Sequence, residues 1–272
     1  MSGLLADGSG IGGVPTWFSK SENWWGPNGL VLHTRDHLIY SAIILVVAML
    51  VALPLGLLIG HTGRGVVFVA GIANALRAVP TLGMVVLLYV WLSPKIPVNR
   101  DPWLFLPKGT VPVFIPVVIV LVFLAIPPIL TNSYAGVQAI DPEVRDAARG
   151  MGMTGWQILR QVELPNALPL IMSGLRSATL QVIATVTVAA YLPLLGGLGS
   201  FITAGEQSFN DPEYGYPAMV SAGIVVAVLA VLVDGALNLV QRLVVSPGVS
   251  GRFSHRPGVT TQALTEAPLS VA

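Results

Sequence analysis

The residues able to do chemistry in this sequence are few, and they are concentrated. Residues 141–165, DPEVRDAARGMGMTGWQILRQVELP, hold three arginines, two aspartates and two glutamates, in a chain of 272 residues of which only 10% are charged. Nothing in their spacing suits bond breaking. The chain has no cysteine, which excludes thiolate nucleophiles, thiolate metal sites and disulfides. The four histidines, His33, His37, His61 and His255, are scattered and form no ligand pair, so no catalytic residue and no metal site is expected. Gly196-Gly197-Leu198-Gly199 has no following lysine, and no GxxxxGK[ST] occurs anywhere, so the chain cannot bind and hydrolyse ATP by itself. What remains for the charged segment is docking chemistry: charges of both signs with small apolar residues between them.

The segment specifies its own local structure. Asp141-Pro142-Glu143 is a strong helix start, with a capping carboxylate, a proline tolerated at the first position and an acid that complements the helix dipole. Gly150 and Gly152 stop that helix. Thr154-Gly155-Trp156-Gln157 matches a capping box and starts a second helix to about Glu163, which Leu164-Pro165 closes. Two short helices at an angle, lying across a surface, are therefore expected. Arg145, Arg149 and Arg160 are assigned to the exposed face, with Ala147, Ala148, Met151 and Met153 as adaptable contacts.

The rest of the chain must position this segment, and it is greasy. Hydrophobic residues make up 54%, and the mean hydropathy is +0.76, values that place the chain among integral membrane proteins. A span needs about 20 apolar residues. Residues 38–60, 66–92, 111–134, 168–195 and 217–240 qualify, giving about five spans, all helical because backbone in lipid must satisfy itself. The second is interrupted at Val79-Pro80. Residues 93–110 read as a polar loop and 196–216 as a glycine-rich, acidic one. Residues 1–37 lack a signal-peptide pattern and read as a loose extracytoplasmic arm, with Trp24 and Trp25 anchoring at the membrane interface. The tail at 244–272 is polar and reads as disordered. A net charge of +1 with no basic tail gives no sign of nucleic-acid binding.

Polar residues inside spans are costly and face protein or water. Ser173, Ser177, Gln181 and Thr185 recur every four residues on the fourth span and form one stripe. It lines a translocation path or glues helices together. Arg77 and Asp234 sit deep in their spans; they pair with each other, or Asp234 is held locally with Asn238 and Arg242. Arg77 beside the Val79-Pro80 break is the better path candidate, because broken helices in transporters mark substrate or gate regions. With 135–167 on the cytoplasmic side, seven arginines fall inside (64, 145, 149, 160, 242, 252, 256) against five basic residues outside (20, 35, 95, 100, 108), which favours that orientation weakly.

The charged segment also carries a resemblance. Asp146-Ala147-Ala148, three residues, Gly152, nine residues, Val162, one residue, Leu164-Pro165 resembles the EAA motif of binding-protein-dependent ABC importer permeases, with Asp for Glu and Val for Ile. HLIYSAIILVVAMLVALPLGLLIG, GIANALRAVPTLGMVVLLYV, TNSYAGVQAIDPEVRDAARGMGMT and GGLGSFI are similar to the glycine betaine/osmoprotectant branch of these permeases, over residues 37–243. At 189–199, AAYLPLLGGLG departs from the small, glycine-containing run usual in the branch, and Pro193 is expected to kink the end of the fourth span.

The resemblance implies an all-α integral membrane protein of the type I ABC importer permease fold, a permease domain at 38–243 in the bacterial plasma (inner) membrane. It implies that 135–167 is a cytoplasmic coupling loop. Arg145, Asp146, Ala147, Ala148, Gly150, Gly152, Val162, Leu164 and Pro165 would then dock an ATPase. Arg77, Pro80, Ser173, Ser177, Gln181 and Thr185 are the path candidates. Implied partners are two cytoplasmic ABC ATPase subunits that bind the ATP, a second permease chain and an extracytoplasmic solute-binding protein. The chain itself would be a transport subunit without a cofactor, and not an enzyme. The implied cargo is a compatible solute such as glycine betaine, choline, carnitine or proline. Other small solutes (an amino acid, a phosphonate) and an ion-coupled secondary transporter are the alternatives.

Overall fold

The apolar runs become long helices. The computed structural model describes residues 12–99, 106, 108–192 and 194–246, with the side chains of 68–70, 73, 74 and 77 outside that set. In chain order the α-helices are α1 (Gly13–Ser19), α2 (Leu30–Thr62), α3 (Val66–Ala78), α4 (Thr81–Leu92), α5 (Val111–Gln138), α6 (Pro142–Gly150), α7 (Gly155–Ile158), α8 (Leu164–Ala189), α9 (Gly199–Gln207) and α10 (Gly215–Val244). Helices α7 and α8 are joined by a π-helical turn, Leu159–Glu163, into one continuous helix of 35 residues. That helix, α2, α5 and α10 are each long and apolar enough to cross a membrane. Helices α3 and α4 have 13 and 12 residues and are separated by extended backbone at Val79 and Pro80. Proline has no N–H to give and pushes the preceding residue out of the helical region, so the break is local chemistry. Four continuous spans and this broken pair account for the expected five or so.

Helix α5 is the central post: 72% of its most apolar window is buried, against 22% for α2 and 17% for α10. Small residues let its neighbours come close. On α2, Ala48, Ala52, Gly56 and Gly60 recur every four residues and are all buried. A β-carbon at Gly56 would lie 2.6 Å from Ser133 Cβ, and one at Gly60 would lie 2.6 Å from Val137 Cβ. On α8, a β-carbon at Gly174 would meet the Pro128 carbonyl oxygen at 2.6 Å. The core continues through Tyr40, Ile44, Leu121, Ile129, Val182 and Val186.

Several expectations change. The span expected from residue 38 begins at Leu30, and residues 12–29 are seated rather than loose: Trp17 is buried with Leu30, Leu198, Phe201 and Ala218. Trp24 Nε1 donates to the Phe18 carbonyl at 2.6 Å, and Trp25 is 68% exposed. The loop expected at 196–216 contains α9, whose Phe201 gives it an apolar side to bury. The fourth span ends at Ala189 instead of 195; Pro193 lies outside the described residues, as do the tail from 247 and residues 1–11.

Candidate functional site

The charged segment folds as its caps dictate. The Asp141 carboxylate accepts from the Glu143 N–H at 2.9 Å, with Pro142 opening α6. At the other end Gly152 takes φ +82°, the left-handed conformation that glycine adopts without steric cost. The Gly152 N–H donates to the Arg149 carbonyl and the Met153 N–H to the Ala148 carbonyl, closing the helix in a Schellman turn. Gly150, assigned as a stop, is instead the last helical residue. Thr154 and Gln157 form the expected capping box: the Thr154 N–H donates to Gln157 Oε1 at 2.7 Å, and the Gln157 N–H to Thr154 Oγ1.

The second short helix does not close at Leu164-Pro165. A proline inside a helix clashes with the carbonyl four residues before it. Here the wider π-helical turn at 159–163 absorbs the mismatch, and Asn166 Nδ2 donates to the Val162 carbonyl at 2.7 Å. The helix therefore continues into the span. Leu164 packs near Val137, Ala167 and Ile171, Val162 is half-buried and Pro165 is exposed.

Glu163 is the residue that sequence reasoning missed. Its side chain is 1% exposed, and it holds two partners from distant elements. One carboxylate oxygen lies 3.0 Å from Arg145 Nε, and the other lies 2.6 Å from His61 Nδ1 at the inner end of α2. Arg145 Nη2 also donates to the Val137 carbonyl near the end of α5. This corrects the placement of Arg145: it points inward, because a buried carboxylate needs a cation more than a surface arginine needs water. Ala148 is likewise buried. The signal available in the sequence was an acid immediately before Leu164-Pro165, at the start of a long apolar run.

The outward face is apolar and charged at once. Met151 is 77% exposed and Trp156 is 68% exposed, beside exposed Val144, Ala147, Gly150 and Gly152. Asp146 and Arg149 pair with each other at 3.1 Å on that face, and Arg160 is exposed. Trp156 had not been assigned a role from sequence. An exposed tryptophan and methionine at the rim of a membrane protein are suited to a partner's groove.

Along α8, Ser173 and Ser177 are exposed, and Gln181 and Thr185 half-buried, so the chain's own helices leave much of this stripe uncovered. Thr185 Oγ1 donates to the Gln181 carbonyl at 2.7 Å. Asp234 accepts from Arg176 Nε at 2.8 Å and Nη2 at 2.7 Å, a bidentate pair joining α8 to α10. Arg176 was overlooked between the two serines of the stripe. The Arg77 side chain lies outside the described residues. Pro80 is exposed, and beside the break is a cavity of about 280 Å³ lined by Leu76, Val79, Met84 and Phe123, with Thr81 as a polar contributor. At the opposite end from the charged segment, buried His37 donates from Nε2 to the Ile183 carbonyl at 3.0 Å, and His33 Nδ1 lies 3.2 Å from Ser200 Oγ.

Residues 52–246 match the family model for the binding-protein-dependent transport system inner membrane component. The chain belongs to that family. It is a permease of the inner membrane. It is 30% identical over 222 residues to the glycine betaine/carnitine/choline transport system permease protein OpuCB of Bacillus subtilis (strain 168), covering 82% of this chain and 91% of the relative. It is 34% identical over 229 residues to the carnitine transport permease protein OpuCB of Listeria monocytogenes, covering 84% and 91%. The osmoprotectant import permease protein OsmW of Salmonella typhimurium is 29% identical over 219 residues, covering 79% and 92%. The fold matches a chain of the inward-facing MetNI methionine ABC transporter with a TM-score of 0.60 at 22% identity, covering 80% of this chain and 96% of that one. The permease fold is thus the type I ABC importer fold.

Proposed function

We propose that this permease moves compatible solutes, with glycine betaine, choline, carnitine and proline as the candidates, from an extracytoplasmic binding protein into the cytoplasm. The observation that supports the cargo is the run of relatives named for glycine betaine, carnitine and choline transport. The chain has no nucleotide loop, so ATP is bound and hydrolysed by two cytoplasmic ATPase subunits. The face carrying Met151, Trp156, Ala147 and Asp146 docks in a groove of one ATPase subunit. Arg145, Ala148, Gly152, Val162, Leu164 and Pro165 shape that face and tie it to the spans.

Two grooves need two such faces, so a second permease chain completes the importer. The uncovered stripe Ser173, Ser177, Gln181 and Thr185 turns toward it and lines the path between them, with Arg77 and Pro80 at the broken span contributing to the gate. ATP closes the ATPase pair, the docking faces follow, and the two permeases exchange an outward opening for an inward one. The test is reconstitution of the permease with its ATPase and binding protein in liposomes, followed by uptake of a radiolabelled solute panel. ATP-dependent uptake of glycine betaine or choline is expected. Uptake confined to amino acids or phosphonates, or driven by an ion gradient without ATP, overturns the reading.

A further inference from the structure

We propose that the outer mouth of the permease carries its own subsite for a quaternary ammonium head, formed by Tyr191 and Glu206. The inference rests on the reading above only in taking this mouth as the place where solute arrives. Between the end of α8 and helix α9 is a cavity of about 270 Å³, lined by Tyr191, Leu194, Ser200 and Glu206 among others. The Tyr191 hydroxyl donates to Glu206 Oε2 at 3.0 Å, which fixes the ring beside the carboxylate. Among the described residues Glu206 has no cationic side chain as an ion-pair partner; its charge is met by a neutral phenol. Tyr191 is 53% exposed, which leaves it accessible to a ligand.

A quaternary ammonium has no N–H to donate. It is recognised by diffuse negative charge and by aromatic faces, with apolar surface against its methyl groups. The cavity offers one of each: the Glu206 carboxylate, the Tyr191 ring and the Leu194 side chain. Leu194 has φ +71°, a conformation uncommon outside glycine. The floor is anchored from both sides, since Ser200 Oγ donates to the Gly197 carbonyl at 2.7 Å and lies 3.2 Å from His33 on α2. The site is thus built between two elements at the outer end of the helix that carries the polar stripe.

The experiment uses the permease assembled with its ATPase in lipid nanodiscs, without binding protein, and radiolabelled tetramethylammonium as the probe. Saturable binding by the wild type is expected. Glu206→Gln and Tyr191→Leu should each weaken it about tenfold, the size of a lost charge or aromatic contact. Tyr191→Phe, which keeps the ring, should lose far less and serves as the folding control. Absence of saturable binding in the wild type, or unchanged affinity in an assembled Glu206→Gln complex, overturns the subsite. Choline uptake by the complete system is read separately. Uptake without tetramethylammonium binding removes the subsite and leaves the proposed function; binding with uptake of only another solute does the reverse.

Discussion

The Glu163 cluster gives the sharpest expected outcome. Substituting Glu163→Gln keeps the shape of a side chain that is 1% exposed but removes the charge facing Arg145 and His61. Arg145 and His61 are themselves only 19% and 24% exposed, so solvent does little to screen the loss. Breaking one side of a buried pair costs about 3–5 kcal/mol. The glutamine carbonyl keeps a polar oxygen facing Arg145, and a neutral group retains roughly half the attraction of a charged one, which places Glu163→Gln near the lower figure, about 3 kcal/mol. Arg145→Met should cost a similar amount, since it leaves the buried carboxylate to His61 alone and frees the Val137 carbonyl. Both single changes delete the same interaction, so the double variant should fall about 2 kcal/mol short of their sum. Denaturant midpoints of the purified permease in detergent would measure all four corners of the cycle. Additive effects within about 0.5 kcal/mol would refute the reasoning, because residues that do not share an interaction add.

Gly152→Ala meets no neighbouring atom but must hold φ +82°, so it should destabilise the turn by about 1–2 kcal/mol; ATP-dependent uptake should fall while membrane assembly, followed by copurification, persists. Gly60→Val forces α2 away from Val137 and should cost about 1–3 kcal/mol in the same denaturant assay, more than Gly223→Val at a site with open space around it. Arg176→Leu strands Asp234 and should lower thermal stability, with Arg176→Leu/Asp234→Leu recovering most of the loss. Cysteines placed at Ser173, Ser177, Gln181 and Thr185 in the assembled importer should react with a water-soluble thiol reagent, at the half-buried pair more slowly; silence at all four would remove the path.

What the sequence made legible was local or periodic. Asp141, Gly152 and the Thr154–Gln157 box act within a turn or two, and each appears where its neighbours require it. Pro80 broke its helix for reasons contained in two residues. Several failures involve distance along the chain. Glu163 and His61 are 102 residues apart, and Arg176 and Asp234 are 58 apart, so no window of sequence could pair them. Pro165 was misread because the rule that proline ends a helix is a rule about α-helical register, and a π-helical turn changes the register just before it. Residues 12–29 were misread because their polarity suggested solvent, while Trp17 and Leu30 had an apolar partner waiting in α9 and α10.

The continuity of Gly155–Ala189 has a geometric consequence. Helix α8 has 26 residues, a shaft of about 39 Å at the usual rise per residue. Its foot is the π-helical turn, clasped through Glu163 to the ends of α2 and α5, and its head meets the segment around Tyr191. A tilt of about 5° at the foot sweeps the head through about 3 Å, as a stiff rod must. Small displacements at Trp156 are thus magnified on the far side of the membrane, in proportion to the length of helix that lies between them.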